Sequence, residues 1–532
     1  MNVLPAGDRG ESESGAGPQE RDGAAPRDAL LALDPWLLFL LGMVTALQVT
    51  GDPAFSTLGK VSRWDGEVLR TALAVGAVAT LLLFLTAALA LPGGVERRSY
   101  RTCKRATLAA LGVLIVALPM ASRACQRFAS AHPLQFAHDG GVIQTEESAR
   151  FLLRGVNPYA ADFSSTPLAE VAIPGILRHN PYLPASFLLP TPLIALADAT
   201  GLPFDQRFVY LVLWAAGVWL APLAFQHRGA GELAQTCFAL NPLVVPFMVV
   251  GRNDIYVVAF LLFALAALAR RRALAFFSCL ALACAIKQFA WLVAPFLLVC
   301  AWHTWPRAIL RRGLAAGAAL FAVLVLPFFA WGPADFIDDV YRFNAGLSPD
   351  SYPLGGTPGF GFAMLAAVLH WAPDRAAYFN LTPYLLLTAL PLGALLLARL
   401  LRRPTVSGAM LAAFLLSFWI FFFSRVFNNN YFGVLAFFLQ MGALASGEPP
   451  PAGPYPPPPT AGGSLRRPLP PSDRSALGGA LINRLNLRRP SPKRSIAGGE
   501  GGGPGGLLGG AYFATRNALV ATDLPSKRIS IL

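Results

Sequence analysis

Apolar runs of membrane length recur from Leu30 to Ala445, and nothing else in the chain constrains its fold as strongly. About 20 apolar residues carry a helix across the roughly 30 Å hydrocarbon core, and within lipid every backbone polar group must be satisfied internally. The expectation is an all-α fold: a polytopic membrane helix bundle of about 10–13 membrane segments, some short or re-entrant, with juxtamembrane helices on the extracytoplasmic side. Of the 532 residues 55% are apolar and 14% charged, and no soluble catalytic domain is visible.

The formal charge is +14, and the stretch after Gly447 supplies about half of it, with eleven Lys and Arg against four acids. Basic residues beside cytoplasmic helix ends belong to any such protein, so nucleic acid is not an expected partner. The six cysteines form no CxxC pair and indicate neither a disulfide framework nor a zinc site. The N-terminus lacks the basic region and cleavage site of a secretory signal, so the first apolar segment is expected to remain as an anchor. Residues 1–29 and the basic Pro/Gly-rich tail, 447–532, are expected to be disordered.

Taken in order, Leu30–Thr50, Thr71–Leu91 and Ala106–Met120 read as the first three spans. Arg97, Arg98, Arg101, Lys104 and Arg105 place the loop before the third in the cytoplasm, and the clusters at Arg270–Arg272 and Arg399–Arg403 do the same later. Asp139 is then extracytoplasmic. Between Tyr182 and Arg270 lie four apolar stretches, where the charge pattern requires an odd number of crossings. Thr236–Val250, interrupted by Pro242 and Pro246, is the one expected not to cross. The run after Arg272 folds as two short helices with Lys287 and Gln288 at their apex, where a lone lysine needs an anionic partner.

The stretch Ala131–Phe163 carries the candidate chemistry. Asp139 stands between His138 and two glycines, just beyond a membrane segment, where a carboxylate can take a proton from an alcohol at the bilayer surface. Gly140 and Gly141 allow a tight turn and close approach. GVIQTEESARFLLRG reads as a short interfacial helix closed by Gly155. As a bland alternative, Asp139 is a loop carboxylate paired with His138, and Glu146, Glu147 and Asp162 are solvated charges. Lys287, Arg252 and Arg425 are candidate ligands for a phosphate, which a guanidinium fork or an ammonium stabilises. Each alone also fits a snorkelling side chain. His138, Glu146, Asp254, Gln288, Asn429 and Tyr431 are candidates for substrate binding, with Asp254 expected to pair with Arg252 or cap the next helix.

The ordered set of FLLRGVNPY, HNPYLP, ALNP, GRND, AIKQFAWLVAPFLL and RVFNNNYF, preceded by Asp139, resembles the C-superfamily (GT-C) of membrane glycosyltransferases. It is most similar to bacterial polyprenyl-phosphate-mannose-dependent mannosyltransferases. The resemblance spans about Ala106–Ala445, so residues 106–446 are the expected catalytic membrane domain and 30–105 two additional transmembrane segments. HNPYLP departs from the usual Tyr-Pro-Pro, and no WWD-like element is present. The resemblance implies transfer of one hexose, mannose, from a polyprenyl-phosphate sugar to a lipid-linked or cell-envelope glycan acceptor. It also implies inversion with Asp139 as general base, on the outer face of a bacterial inner membrane. The lipid-phosphate sugar is then a co-substrate, with no other cofactor and no obligatory metal. The rivals are a transporter or lipid flippase, in which intramembrane charges mark a path, and an assembly factor with coincidental motifs.

Overall fold

The computed structural model describes residues 25–51, 66–90, 98–137, 139–171, 173–356 and 359–448. Of the expected disordered ends, residues 1–24 and 449–532 lie outside the described residues, whereas residues 25–29 form the first turns of a helix. The protein is an all-α polytopic membrane protein: among the described residues seven helices are long and apolar enough to cross a membrane, and five shorter apolar helices accompany them. The first three long ones are α1 (Ala25–Thr50), α2 (Gly66–Ala90) and α3 (Arg98–Ala129).

α3 runs further at both ends than its apolar stretch. A π-helical stretch, Gly112–Ala117, interrupts it midway. The basic residues from Arg98 to Arg105, expected in a loop, form its first turns. Lys104 there is fully buried: its Nζ lies 2.7 Å from Asp34 Oδ2 and 3.3 Å from Glu232 Oε2. Tyr100 donates to the same Asp34 oxygen at 2.8 Å, and Thr236 to the other at 2.7 Å. Lys104 thus faces two carboxylates, and both Asp34 oxygens accept hydrogen bonds, which is what lets a buried ion pair be tolerated; the network ties α1 to α3 and to the helix carrying Glu232.

Beyond the turn at Asp139–Ile143 follow α4 (Gln144–Leu153), α5 (Ala185–Thr200) and α6 (Arg207–Ala224). α7 (Arg228–Ala239) and α8 (Val245–Val250) form a broken pair, and α9 (Asp254–Ala269) follows. The break between α7 and α8 comes from Asn241-Pro242. The Asn241 side chain accepts from Leu243 N at 2.9 Å, and its carbonyl from Val244 and Val245. Almost every residue of α9 is buried, as befits a helix apolar all round.

Which apolar stretch fails to cross differs from expectation. α9 runs about 24 Å at 1.5 Å per residue, from Asp254 to an end where Arg270 Nε donates to Leu223 O. The start of α7 is at that same far end, where Gln226 N and His227 N bond Glu448. α7–α8 therefore crosses despite its break. α5 instead begins and ends near α4: Leu183 N donates to Ile286 O, Asp198 pairs with Arg150, and Asp205 just beyond it pairs with Arg127. Leu183–Ala199 is thus the segment that turns back.

The chain continues through α10 (Ala273–Ile286), α11 (Phe289–Thr304), α12 (Arg307–Trp331), α13 (Thr382–Arg402), α14 (Val406–Phe423) and α15 (Tyr431–Leu444). As expected, α10 and α11 meet at Lys287, whose backbone is extended (φ −155°, ψ 141°). The helix ends beside Asp139, Asp254, Lys287, Thr382 and Asn430 gather at one end of the bundle, around one cavity. The start of α7 and the end of α9, with its cluster Arg270–Arg272, lie at the other.

Candidate active site

A cavity of about 520 Å³ occupies the end where α10 meets α11. Its polar side includes Gln144, Arg252, Asn253, Lys287, Gln288 and Asn430, and its apolar side Trp291, Leu292, Leu385, Leu386, Ile420 and Phe421. Leu386 and Trp291 are 52% and 45% exposed, so the apolar wall reaches the outer surface of the bundle, where acyl chains surround a membrane protein.

Lys287 is placed by the kink between two helices, and its charge is met on the spot. Nζ lies 2.6 Å from Asp254 Oδ1 and donates to Asn253 Oδ1 at 3.2 Å. The rings of Phe289, Tyr182 and Tyr431 surround it at 4.7, 5.5 and 5.8 Å, a geometry that stabilises a desolvated ammonium. Asp254 is therefore the partner of Lys287, not of Arg252. Its second oxygen accepts from Asn430 Nδ2.

Arg252 follows Gly251, whose φ of 109° only glycine adopts readily. Its guanidinium donates to Asn430 Oδ1 at 2.6 Å and stands 5.5 Å from the centre of the Phe247 ring. Among the described residues no carboxylate pairs with it. Arg425 also lines the cavity, yet its donors are committed to the carbonyls of Tyr352, Ala377, Ala376 and Arg375, at 2.6 to 3.2 Å. Few N–H groups remain for a ligand, and Arg425 holds the loop between α12 and α13 against the cavity.

Of the remaining predicted residues, Gln288 and Tyr431 line the cavity, whereas Asn429 does not and its neighbours Asn428 and Asn430 do. Gln288 Nε2 donates to Val340 O at 3.2 Å. Glu146 is not in the lining. It forms a two-toothed pair with Arg127 (2.9 and 2.5 Å) and accepts from Gln206 N at 2.7 Å, fully buried. His138 lies outside the described residues. Asp139 opens the π-helical turn Asp139–Ile143, and its side chain too lies outside them. Its segment is nevertheless fixed in place: Gly141 lines the cavity, and a Cβ there would collide with Gly251 O and lie 2.9 Å from Arg252 Cα.

A second hub lies beside the cavity, built on His179 and Asp339, which the sequence offers only as weak candidates for contacting sugar hydroxyls. His179 Nδ1 lies 2.7 Å from Asp339 Oδ1, and Nε2 lies 3.0 Å from Asp350 Oδ1. Asp339 also accepts from Asn180 N, and the imidazole stacks on Phe343, which lines the cavity. Burial lowers the His179 pKa, but the hydrogen bonds to both carboxylates outweigh it and push it up to about 9. Burial raises that of Asp339 to about 6 against the pull of His179. His179, Asp338 and Asp339 bring ligand-type atoms within 4.8 Å of one another. Both imidazole nitrogens are already engaged with carboxylates, so the cluster serves here to fasten the His179 and Asp350 loops to the helical turn Asp338–Arg342 beside the cavity.

Known proteins bear on part of this site. A family profile described as "Alpha-(1->6)-mannopyranosyltransferase, N-terminal domain" matches residues 147–304. That stretch holds Arg252, Asn253, Asp254 and Lys287, and stops short of Asp139 and Arg425. The match supports a glycosyltransferase that moves mannose, of the GT-C type. No curated protein and no solved structure matches the chain at a significant level.

Proposed function

We propose that this membrane protein transfers one hexose, mannose, from a polyprenyl-phosphate donor to a lipid-linked or cell-envelope glycan acceptor. The observation carrying this reading is the cavity itself, where Arg252, with no carboxylate partner among the described residues, stands beside Asn253 and Lys287 and faces an apolar wall that reaches the bundle surface. A prenyl chain fits the apolar wall, and its phosphate fits the cationic end. As the glycosidic bond breaks, charge grows on the lipid phosphate. Fixed donors stabilise that charge without reorganisation, and Arg252 offers the planar fork suited to it. A phosphodiester carries one negative charge, which Arg252 balances, so no obligatory metal or other cofactor enters the proposal.

Asp139 is the proposed general base, in line with an inverting displacement. A sugar hydroxyl has a pKa far above 7, so its attack needs a proton acceptor at the nucleophile. The packing of Gly141 on the Arg252 backbone supports a position for Asp139 close to the donor. The positive-inside pattern supports an active site outside the cytoplasm, in a bacterial inner membrane, since Arg270–Arg272 lie at the end opposite the cavity.

The test is Asp139→Asn, which keeps shape and removes basicity. Turnover should fall by about 10² to 10⁴-fold while the donor still binds. Activity within a few-fold of wild type would remove Asp139 from the mechanism.

A further inference from the structure

Asn253 stands beside Arg252, to which the phosphate charge is assigned above, and beside Lys287, and its side chain is only half used. Its Oδ1 accepts from Lys287 Nζ at 3.2 Å. An ammonium group can only donate, so the oxygen must face Lys287 and the amide nitrogen must turn away. That nitrogen, Nδ2, is buried and has no partner among the described residues, in a residue only 3% exposed. Asn253 lines the cavity.

Two further features mark the position. Asn253 is the N-cap of α9, a place where asparagine ordinarily bonds the first amides of its helix, yet no side-chain cap bond is formed here. Its backbone (φ −91°, ψ 8°) lies in the sparsely populated bridge region. The side chain has given up its local role, and a buried amide N–H without an acceptor carries a desolvation penalty. α9 is 16 residues long, and the positive end of its dipole adds to the preference for negative charge at this point.

We propose that Asn253 Nδ2 donates a hydrogen bond to a non-bridging oxygen of a lipid phosphate, held between Arg252 and Lys287, and so positions the leaving group. Lys287 fixes the amide in the donating orientation. Asn253 thus makes the site selective for a phosphate over a neutral headgroup. This inference rests on the glycosyl-transfer reading, in which that phosphate leaves.

The experiment measures binding of a short-chain prenyl phosphate, and of the matching prenyl alcohol, to the purified full chain in detergent. Wild type should bind the phosphate more tightly than the alcohol. Asn253→Asp keeps an oxygen for Lys287 but removes the donor, and Asn253→Ser removes the amide without adding charge. Both should weaken the phosphate by about 10 to 100-fold and leave the alcohol unchanged. Melting temperatures near wild type identify the variants that fold. Variants that bind the phosphate as wild type does overturn the role of Asn253 alone. Equal loss of the phosphate and the alcohol overturns it in favour of a contact to the prenyl chain. A wild type that does not distinguish phosphate from alcohol overturns the glycosyl-transfer reading together with this inference.

Discussion

Lys287 Nζ and Asp254 Oδ1 stand 2.6 Å apart, joining the kink between α10 and α11 to the first residue of α9. Both side chains are more than nine-tenths buried. The pair therefore fixes the cavity floor before any ligand arrives, and leaves Arg252 to balance the ligand's charge.

The first prediction concerns that pair. Removing either partner leaves a buried charge uncompensated, at a cost of about 3–5 kcal/mol. Lys287→Ala and Asp254→Ala should each lower the melting temperature, and the double variant should recover much of the loss. Additive losses in the double variant would show that the two charges do not stabilise one another.

The two arginines should separate. Arg252→Gln removes the cation without a carboxylate partner and should raise the donor KM by about 10 to 100-fold with little change in melting temperature. Arg425→Gln strands four carbonyls of the loop between α12 and α13 and should destabilise the protein by about 2–4 kcal/mol. Steady-state kinetics and thermal melts together distinguish the two; a shared pattern would refute the division of roles.

Gly141→Ala should reduce turnover by about 10²-fold. The added methyl collides with the Gly251 carbonyl and pushes the Asp139 turn away from Arg252, and a displacement of about 1 Å suffices for such a loss. A variant as active as wild type would mean that the turn does not need to lie against Arg252.

The His179 hub makes stability depend on pH. Its folded pKa, about 9, is raised above the free value of 6.5, so the native state binds the proton more tightly. The stabilisation is complete below about pH 6.5 and is lost as pH rises through about 9. Asp339, raised to about 6, acts in the same direction at lower pH. Melting temperature should fall between pH 6.5 and 9 in wild type and stay flat in His179→Gln; equal slopes would locate the titration elsewhere.

Some of this was readable in the sequence because it is local. Lys287-Gln288 interrupts an apolar run too long for one helix, and the basic clusters mark one end of the bundle, so the gathering of Asp254 and Lys287 with the segment Ser424–Tyr431 followed from simple counting, though not that Asn430 rather than Asn429 would face the cavity. The rest depends on partners far along the chain. Glu146 looks solvated until Arg127 and Asp205 are brought to it. Arg425 looks available until the Tyr352–Ala377 loop supplies its carbonyls. Leu183–Ala199 is as apolar as a span, and only the Asp198–Arg150 pair and the Leu183–Ile286 hydrogen bond show that it turns back. Asn253 went unnoticed between two charged neighbours because an unpaired amide has no sequence signature.

The tie between Asp34 and Lys104 has a consequence for biosynthesis. Asp34 lies in the first turn of a candidate span, where an unpaired carboxylate costs less than the about 2.5–3.5 kcal/mol of a helix centre but still opposes insertion. Its partner is 70 residues further along, which is roughly 4–14 s of translation at about 5–20 residues per second. α1 must therefore wait, poorly settled in lipid, until α3 emerges, and the lateral gate of the insertion machinery is the natural place for it to be held.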